Sequence, residues 1–235
     1  MSFKDAYMNR ASNSQPLPWC KLIWSPIVQP ARTLVLWRIF HNIIATDDNL
    51  RKRGFLMVSC CSLCNQAYET SQHLFFECPF ALKWWNWLSS SIVSPLDISS
   101  PTALLSILGR NWSSQVKDLL ISAITNIVWL IWGCRNNLRF DKQILNHVQL
   151  QNLLCNAIYL SASNSKGTMN SSIQDFKILK FFKVACHPPS TPKIIQVNWI
   201  PPPNLWIKCN SDGASKAVQL TAAMLSIEMA HDRGW

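Results

Sequence analysis

The segment CSLCNQAYETSQHLFFEC, residues 61–78, decides how the rest of the chain is read. Its spacing is C-x2-C-x8-H-x4-C. Cys61 and Cys64 can both face one ion from a single tight turn, and His73 and Cys78 supply an imidazole and a third sulfur from the next element. Three thiolates and one imidazole make the four-coordinate shell that zinc adopts where no position is left open for a substrate. A closed site of that kind holds a fold together and performs no chemistry. The competing reading, buried thiols beside a core histidine, leaves unexplained why all four groups fall in one short segment. The expected cofactor is therefore structural zinc on Cys61, Cys64, His73 and Cys78, with Cys60 the natural substitute if the register slips by one.

Helical patterns flank this segment. Upstream, residues 31–44 carry Leu34, Trp37, Ile39, Phe40 and Ile44 near a 3.6-residue period, which predicts a helix. Thr46 or Asp47 is placed to cap a second, short helix that runs to Arg53 and stops at Gly54. Arg51, Lys52 and Arg53 form a basic run just before the metal array, which can meet a polyanion or simply serve as a solvated face. Downstream, residues 72–87 are expected to form a helix with Pro79 in an early turn. Phe75, Phe76, Trp84, Trp85 and Trp87 there are too many aromatics for a solvent-facing surface.

Residues 89–101 read as a turn-rich connector, and helices are expected over 101–108, 114–138 and 145–163. The longest apolar stretch, residues 119–132, is interrupted by Ser122, Thr125 and Asn126 and reads as too short and too polar to cross a bilayer. No membrane association is expected.

Beyond residue 163 the composition changes. Residues 164–172 are small and polar, residues 187–192 are HPPSTP, and Pro201, Pro202 and Pro203 suit a polyproline spacer. Trp206, Lys208, Asn210 and Asp212 share one parity, which predicts a strand ending at an acidic residue before Gly213. Magnesium-dependent nucleases place a ligand at such a strand end; an Asp-Gly pair is also an ordinary turn.

The chain has 235 residues, 49% of them hydrophobic, enough for one large domain or two small ones. Its 22 Lys and Arg against 12 Asp and Glu give a net charge of +10, a balance that favours polyanionic partners or simply keeps a basic domain soluble. The amino terminus lacks the apolar core of a secretory signal. An intracellular setting, nucleus or cytoplasm, with free thiols is expected.

Two stretches resemble known families. Residues 19–87 resemble the zinc-binding domain that follows the polymerase in plant non-LTR retroelement reverse transcriptases. The resemblance is carried by Trp37-Arg38-Ile39-Phe40-His41, Thr46-Asp47-Asp48-Asn49-Leu50, Cys61-Ser62-Leu63-Cys64, Glu69-Thr70, His73-Leu74-Phe75-Phe76 and Cys78-Pro79. Trp129-Leu130-Ile131-Trp132, Arg135-Asn136-Asn137 and Phe140 look like the helical linker downstream in that family. Residues 197–235 resemble the start of the plant RNase H-like domain, through Trp199, Lys208-Cys209-Asn210 and Asp212-Gly213-Ala214-Ser215. That resemblance puts Asp212 on the first metal-binding aspartate and Gln219 where the family has a catalytic glutamate; an intervening hairpin is missing, and the later acids lie beyond Trp235.

Two-metal hydrolysis needs several carboxylates around two divalent ions, so Asp212 is expected to be an inactive remnant, with magnesium bound only by a complete site. The expected fold is mostly α, a helical zinc-binding domain and helical linker followed by an incomplete α/β RNase H-like fragment. Its parts are a disordered lead-in (1–18), the zinc-binding domain (19–90), a helical linker region (91–163), a flexible linker (164–196) and the truncated fragment (197–235). The expected function is weak nucleic-acid binding, positioned by Arg51, Lys52, Arg53 and Lys83, without an intact catalytic site. The alternatives are an RNA–DNA hybrid ribonuclease and a decayed gene product with no selected activity.

Overall fold

Ser113 opens the longest described helix by accepting a hydrogen bond from the Val116 backbone N–H (3.2 Å), and the other elements pack around that helix. The computed structural model describes residues 18–141 and 146–189. These belong to the first of two units, Met1–Ser190. The second unit, Thr191–Trp235, lies outside the described residues, and with it the expected strand, Asp212 and Gln219; so does most of the lead-in. Among the described residues there is no strand.

The described helices are α1 (Pro18–Ile23), α2 (Pro30–Phe40), α3 (Asp47–Lys52), α4 (Pro79–Ile92), α5 (Pro101–Leu105), α6 (Ser114–Asn136), α7 (His147–Ala162) and α8 (Ile173–Phe181). Helix α6 buries residues on every side, among them Val116, Leu119, Leu120, Ala123, Ile124, Ile127, Val128 and Ile131. A helix apolar all round has to be enclosed, and α2, α4, α7 and α8 enclose it. Each fully buried Leu or Ile side chain contributes roughly 1.5–3 kcal/mol. The polar interruptions stay dry without penalty, because Thr125 Oγ1 donates to the Ile121 carbonyl and Asn126 Nδ2 to the Ser122 carbonyl, both at 2.8 Å.

With the π turn that prolongs it, this helix runs from Ser114 to Asp141. By length and a mean hydropathy of 1.4 it could span a membrane, although residues 119–132 alone read as too short. Its most apolar stretch is 67% buried inside the protein, as in a core helix.

Several boundaries differ from expectation for local reasons. Helix α2 stops at Phe40 rather than continuing to residue 44, because Asn42 enters the left-handed region (φ 49°) and Ile43 N–H closes back on the Arg38 carbonyl. Gly54, at φ +90°, ends α3 as expected, with Phe55 N–H reaching the Leu50 carbonyl. Helix α4 runs on to Ile92, into the expected connector, and buries Trp84, Trp85, Leu88 and Ile92.

The largest departure is in the segment read as a flexible linker, residues 164–196. Its described part contains α8, capped by Ser172, and buries Ile178, Leu179, Phe182 and Val184. Gln115 on α6 grips the chain beyond it from both sides: its Nε2 donates to the Ala185 carbonyl (2.6 Å) and its Oε1 accepts from His187 N–H (3.0 Å). At Gly167 the backbones approach so closely that a Cβ would lie 2.7 Å from the Gln115 nitrogen.

Candidate metal centre

Cys61 and Cys64 lie in a tight loop that Asn65 closes in the left-handed region (φ 56°), its N–H bonded to the Cys61 carbonyl at 2.8 Å. Asparagine is one of the few residues that enter this region readily. The Cys61 N–H in turn bonds the Ala67 carbonyl at 2.8 Å. Thr70 then caps the next element by accepting from His73 N–H (2.9 Å).

That element is not the continuous α-helix expected from residue 72. Residues His73–Glu77 form a π turn, closed by Cys78 N–H on the His73 carbonyl at 2.7 Å, and α4 starts only at Pro79. The difference matters for the site. Residues five apart on an α-helix point about 140° away from each other. The wider π turn inserts one residue and carries His73 and Cys78 round to the same side.

The result is a closed cluster. The four donor atoms of Cys61, Cys64, His73 and Cys78 all lie within 4.8 Å of one another. Cys61 and Cys78 sulfurs are 3.9 Å apart, and Cys64 Sγ is 3.3 Å from His73 Nε2. A tetrahedron with zinc–sulfur bonds near 2.3 Å has sulfur–sulfur edges of about 3.8 Å, so the donor set and its spacing fit zinc. Bound there, zinc would supply a structural cross-link between the loop and the start of α4. Cys61 and Cys78 are fully buried, and Cys60 is exposed and outside the cluster, so the register does not slip.

Backbone donors are aimed at two of the sulfurs. Backbone N–H groups of Leu63 and Cys64 point to the Cys61 sulfur, and those of Phe80 and Ala81, at the start of α4, to Cys78. Without metal, the hydrogen bond from Cys61 to Cys78, aided by burial, pushes the Cys61 thiol far up, and the same bond lowers Cys78. Binding of a divalent ion would displace the protons that these thiols carry.

Next to the cluster lies a network that no sequence motif announces. Glu69 and Asp47 are buried, as is Arg135 at the end of α6. Arg135 Nε lies 3.1 Å from both Glu69 carboxylate oxygens, and Arg139 Nη1 lies 2.5 Å from Asp47 Oδ1 and 3.4 Å from Glu69 Oε1. Arg135 also stands 4.9 Å over the Trp132 ring. Two guanidiniums against two carboxylates leave no net charge, and Asp47 N–H adds a hydrogen bond to Glu69 (3.3 Å). Breaking one partner of such a set leaves a buried charge uncompensated. Glu69 and Arg135 are 66 positions apart, too far for any local pattern to signal the pair.

Of the expected nucleic-acid contacts, Arg51, Lys52 and Arg53 share the exposed end of α3, and Lys83 is exposed on α4. Lys52 pairs with Asp48 at 3.4 Å, an exposed contact worth little, and Arg53 donates to the Ile43 carbonyl at 2.8 Å. Trp84 and Trp85 are core, and Trp85 donates to the Phe75 carbonyl at 2.7 Å.

Residues 1–85 match the family model described as zinc-binding in reverse transcriptase. The matched stretch contains all four candidate ligands, Asp47 and Glu69, while Arg135 and Arg139 lie outside it. No curated protein and no solved structure matches the chain.

Proposed function

We propose that this is a retroelement-derived protein, of the plant non-LTR type, in which one structural zinc ion staples a helical platform that binds nucleic acid. The observation that supports the reading best is the convergence of four zinc-type donors within 4.8 Å, inside the stretch that matches the reverse-transcriptase zinc-binding family. Arg51, Lys52, Arg53 and Lys83 contact phosphates, and the surplus of basic residues supplies a salt-dependent, sequence-independent affinity. Cysteines that are all unpaired among the described residues fit an intracellular setting. The RNase H-like resemblance adds no activity in this reading, since Gln219 stands at the glutamate position.

Metal analysis of the purified chain tests the first part and should return one zinc per chain; a folded sample without zinc would end the reading. Fluorescence anisotropy with labelled single-stranded, duplex and hybrid oligonucleotides tests the second. Binding should weaken as salt rises and fall further in an Arg51→Glu/Lys52→Glu variant. Salt-independent binding, or none, would count against it. With magnesium and an RNA–DNA hybrid no cleavage above an Asp212→Asn control is expected, and Asp212-dependent cutting would favour the ribonuclease reading instead.

A further inference from the structure

We propose that the cleft between α7 and α8 is a second nucleic-acid contact, which takes unstacked bases of a single strand against Tyr159 and Phe176 and its phosphates on Lys180 and Lys183. The inference rests on the nucleic-acid reading above but concerns another part of the molecule. The cleft has a volume of about 530 Å3, and no carboxylate lines it. Tyr159 from α7 and Phe176 from α8 stand in its walls 43% and 47% exposed, so both keep part of their surface open to solvent.

Neither lysine pairs with a carboxylate among the described residues; Lys180 Nζ instead sits 5.6 Å over the Phe176 ring. Asp175, the acid on α8, is buried and accepts from the Asn170 N–H at 3.0 Å, so it does not face the cleft. Lys183 occupies the position after the helix where the backbone turns left-handed (φ 57°), with Val184 N–H bonded to the Leu179 carbonyl at 2.9 Å. Glycine is the residue that fits this position without strain. A lysine there complements the helix dipole, which accounts for its charge but not for two open rings beside it.

The floor is preformed, because Gln115 clamps Ala185 and His187. Ammonium groups beside half-open aromatic faces are the equipment for a flexible strand, whose bases stack on rings while its phosphates meet cations. A duplex keeps its bases stacked inside and cannot use the rings.

The test is anisotropy on the full, zinc-loaded chain with fluorescein-labelled oligo(dT) and a duplex of equal length. Lys183→Gly removes one cation and relieves the backbone, so it cannot fail merely by misfolding; single-strand affinity should drop at least threefold. Lys180→Glu with Lys183→Gly should drop it at least tenfold and flatten the slope of log K against log salt by about 1.4, two phosphates at ~0.7 each. Tyr159→Ala should weaken the single strand and leave the duplex unchanged. Full single-strand affinity in the double variant would overturn the cleft while leaving the proposed function standing, above all if Arg51→Glu/Lys52→Glu abolishes binding. No binding by the unmodified chain would defeat both. Equal competition by a poly-glutamate peptide would identify an acidic peptide as the ligand class and overturn the proposal.

Discussion

Between Thr46 and Cys78 the chain builds one six-residue helix and one π turn, and its buried side chains include thiols, carboxylates and a threonine. Between Ser114 and Ala162 it builds two long helices, and their shared face is almost wholly aliphatic. The first region buries Leu74, Phe75 and Phe76 in its π turn, but its loops are tied by four clustered metal-type donors and by two arginines reaching in from α6 and the turn after it. The second needs no ion, because Ile124, Ile127, Leu154 and Ile158 are removed from water by each other. One protein thus contains a part that should respond to chelators and a part that should not.

Chelation is the sharpest way to test that contrast. Zinc ligation in small domains contributes on the order of 10 kcal/mol. Stripping the metal should raise amide exchange sharply over residues 46–78 while residues 116–131 and 150–158 stay protected. Uniform loss of protection would mean that the two parts unfold together.

Next comes the bridge between them. Arg135→Ala should destabilise the protein by about 3–5 kcal/mol, because Glu69 and Asp47 are left buried beside Arg139 alone. Glu69→Met with Arg135→Met should recover most of that loss in a denaturant titration; if the double variant is as unstable as the single one, the ion pair is not the source. Gly167→Ala probes the helical part and should cost about 1–3 kcal/mol, since the new methyl meets the α6 backbone, with zinc content unchanged. Gly54→Ala probes the metal part and should cost about 1 kcal/mol for its φ of +90°.

The smallest effect concerns pH. Burial pushes the Cys134 thiol up to about 11 from its ordinary 9.0. Its neutral form therefore contributes stability that is fully present below pH 9 and is lost as pH rises towards 11. At pH 8 an alkylating reagent should modify exposed Cys60 well before Cys134, and equal rates would contradict the burial.

The sequence announced the clustering of Cys61, Cys64, His73 and Cys78 through their spacing, the long helix through its apolar run despite Ser122, Thr125 and Asn126, and the end of α3 through Gly54. It hid the π turn, because an aromatic run such as HLFFE reads straight through as α-helix and the extra residue leaves no mark on periodicity. It hid α8, a nine-residue mix of apolar and charged side chains flanked by polar loops; Ile178 and Leu179 become core only because α4 and α6 lie above them. It could not show Glu69 meeting Arg135, since the partners are joined by tertiary packing alone.

That last contact bears on how such a sequence could travel. A gene fragment ending at residue 85 would carry Asp47 and Glu69 but neither arginine that neutralises them. Two interior anions would be stranded, and the excised piece would have to open or take up protons. A unit that keeps these charges paired therefore extends past the stretch that matches the family model, at least through Arg139.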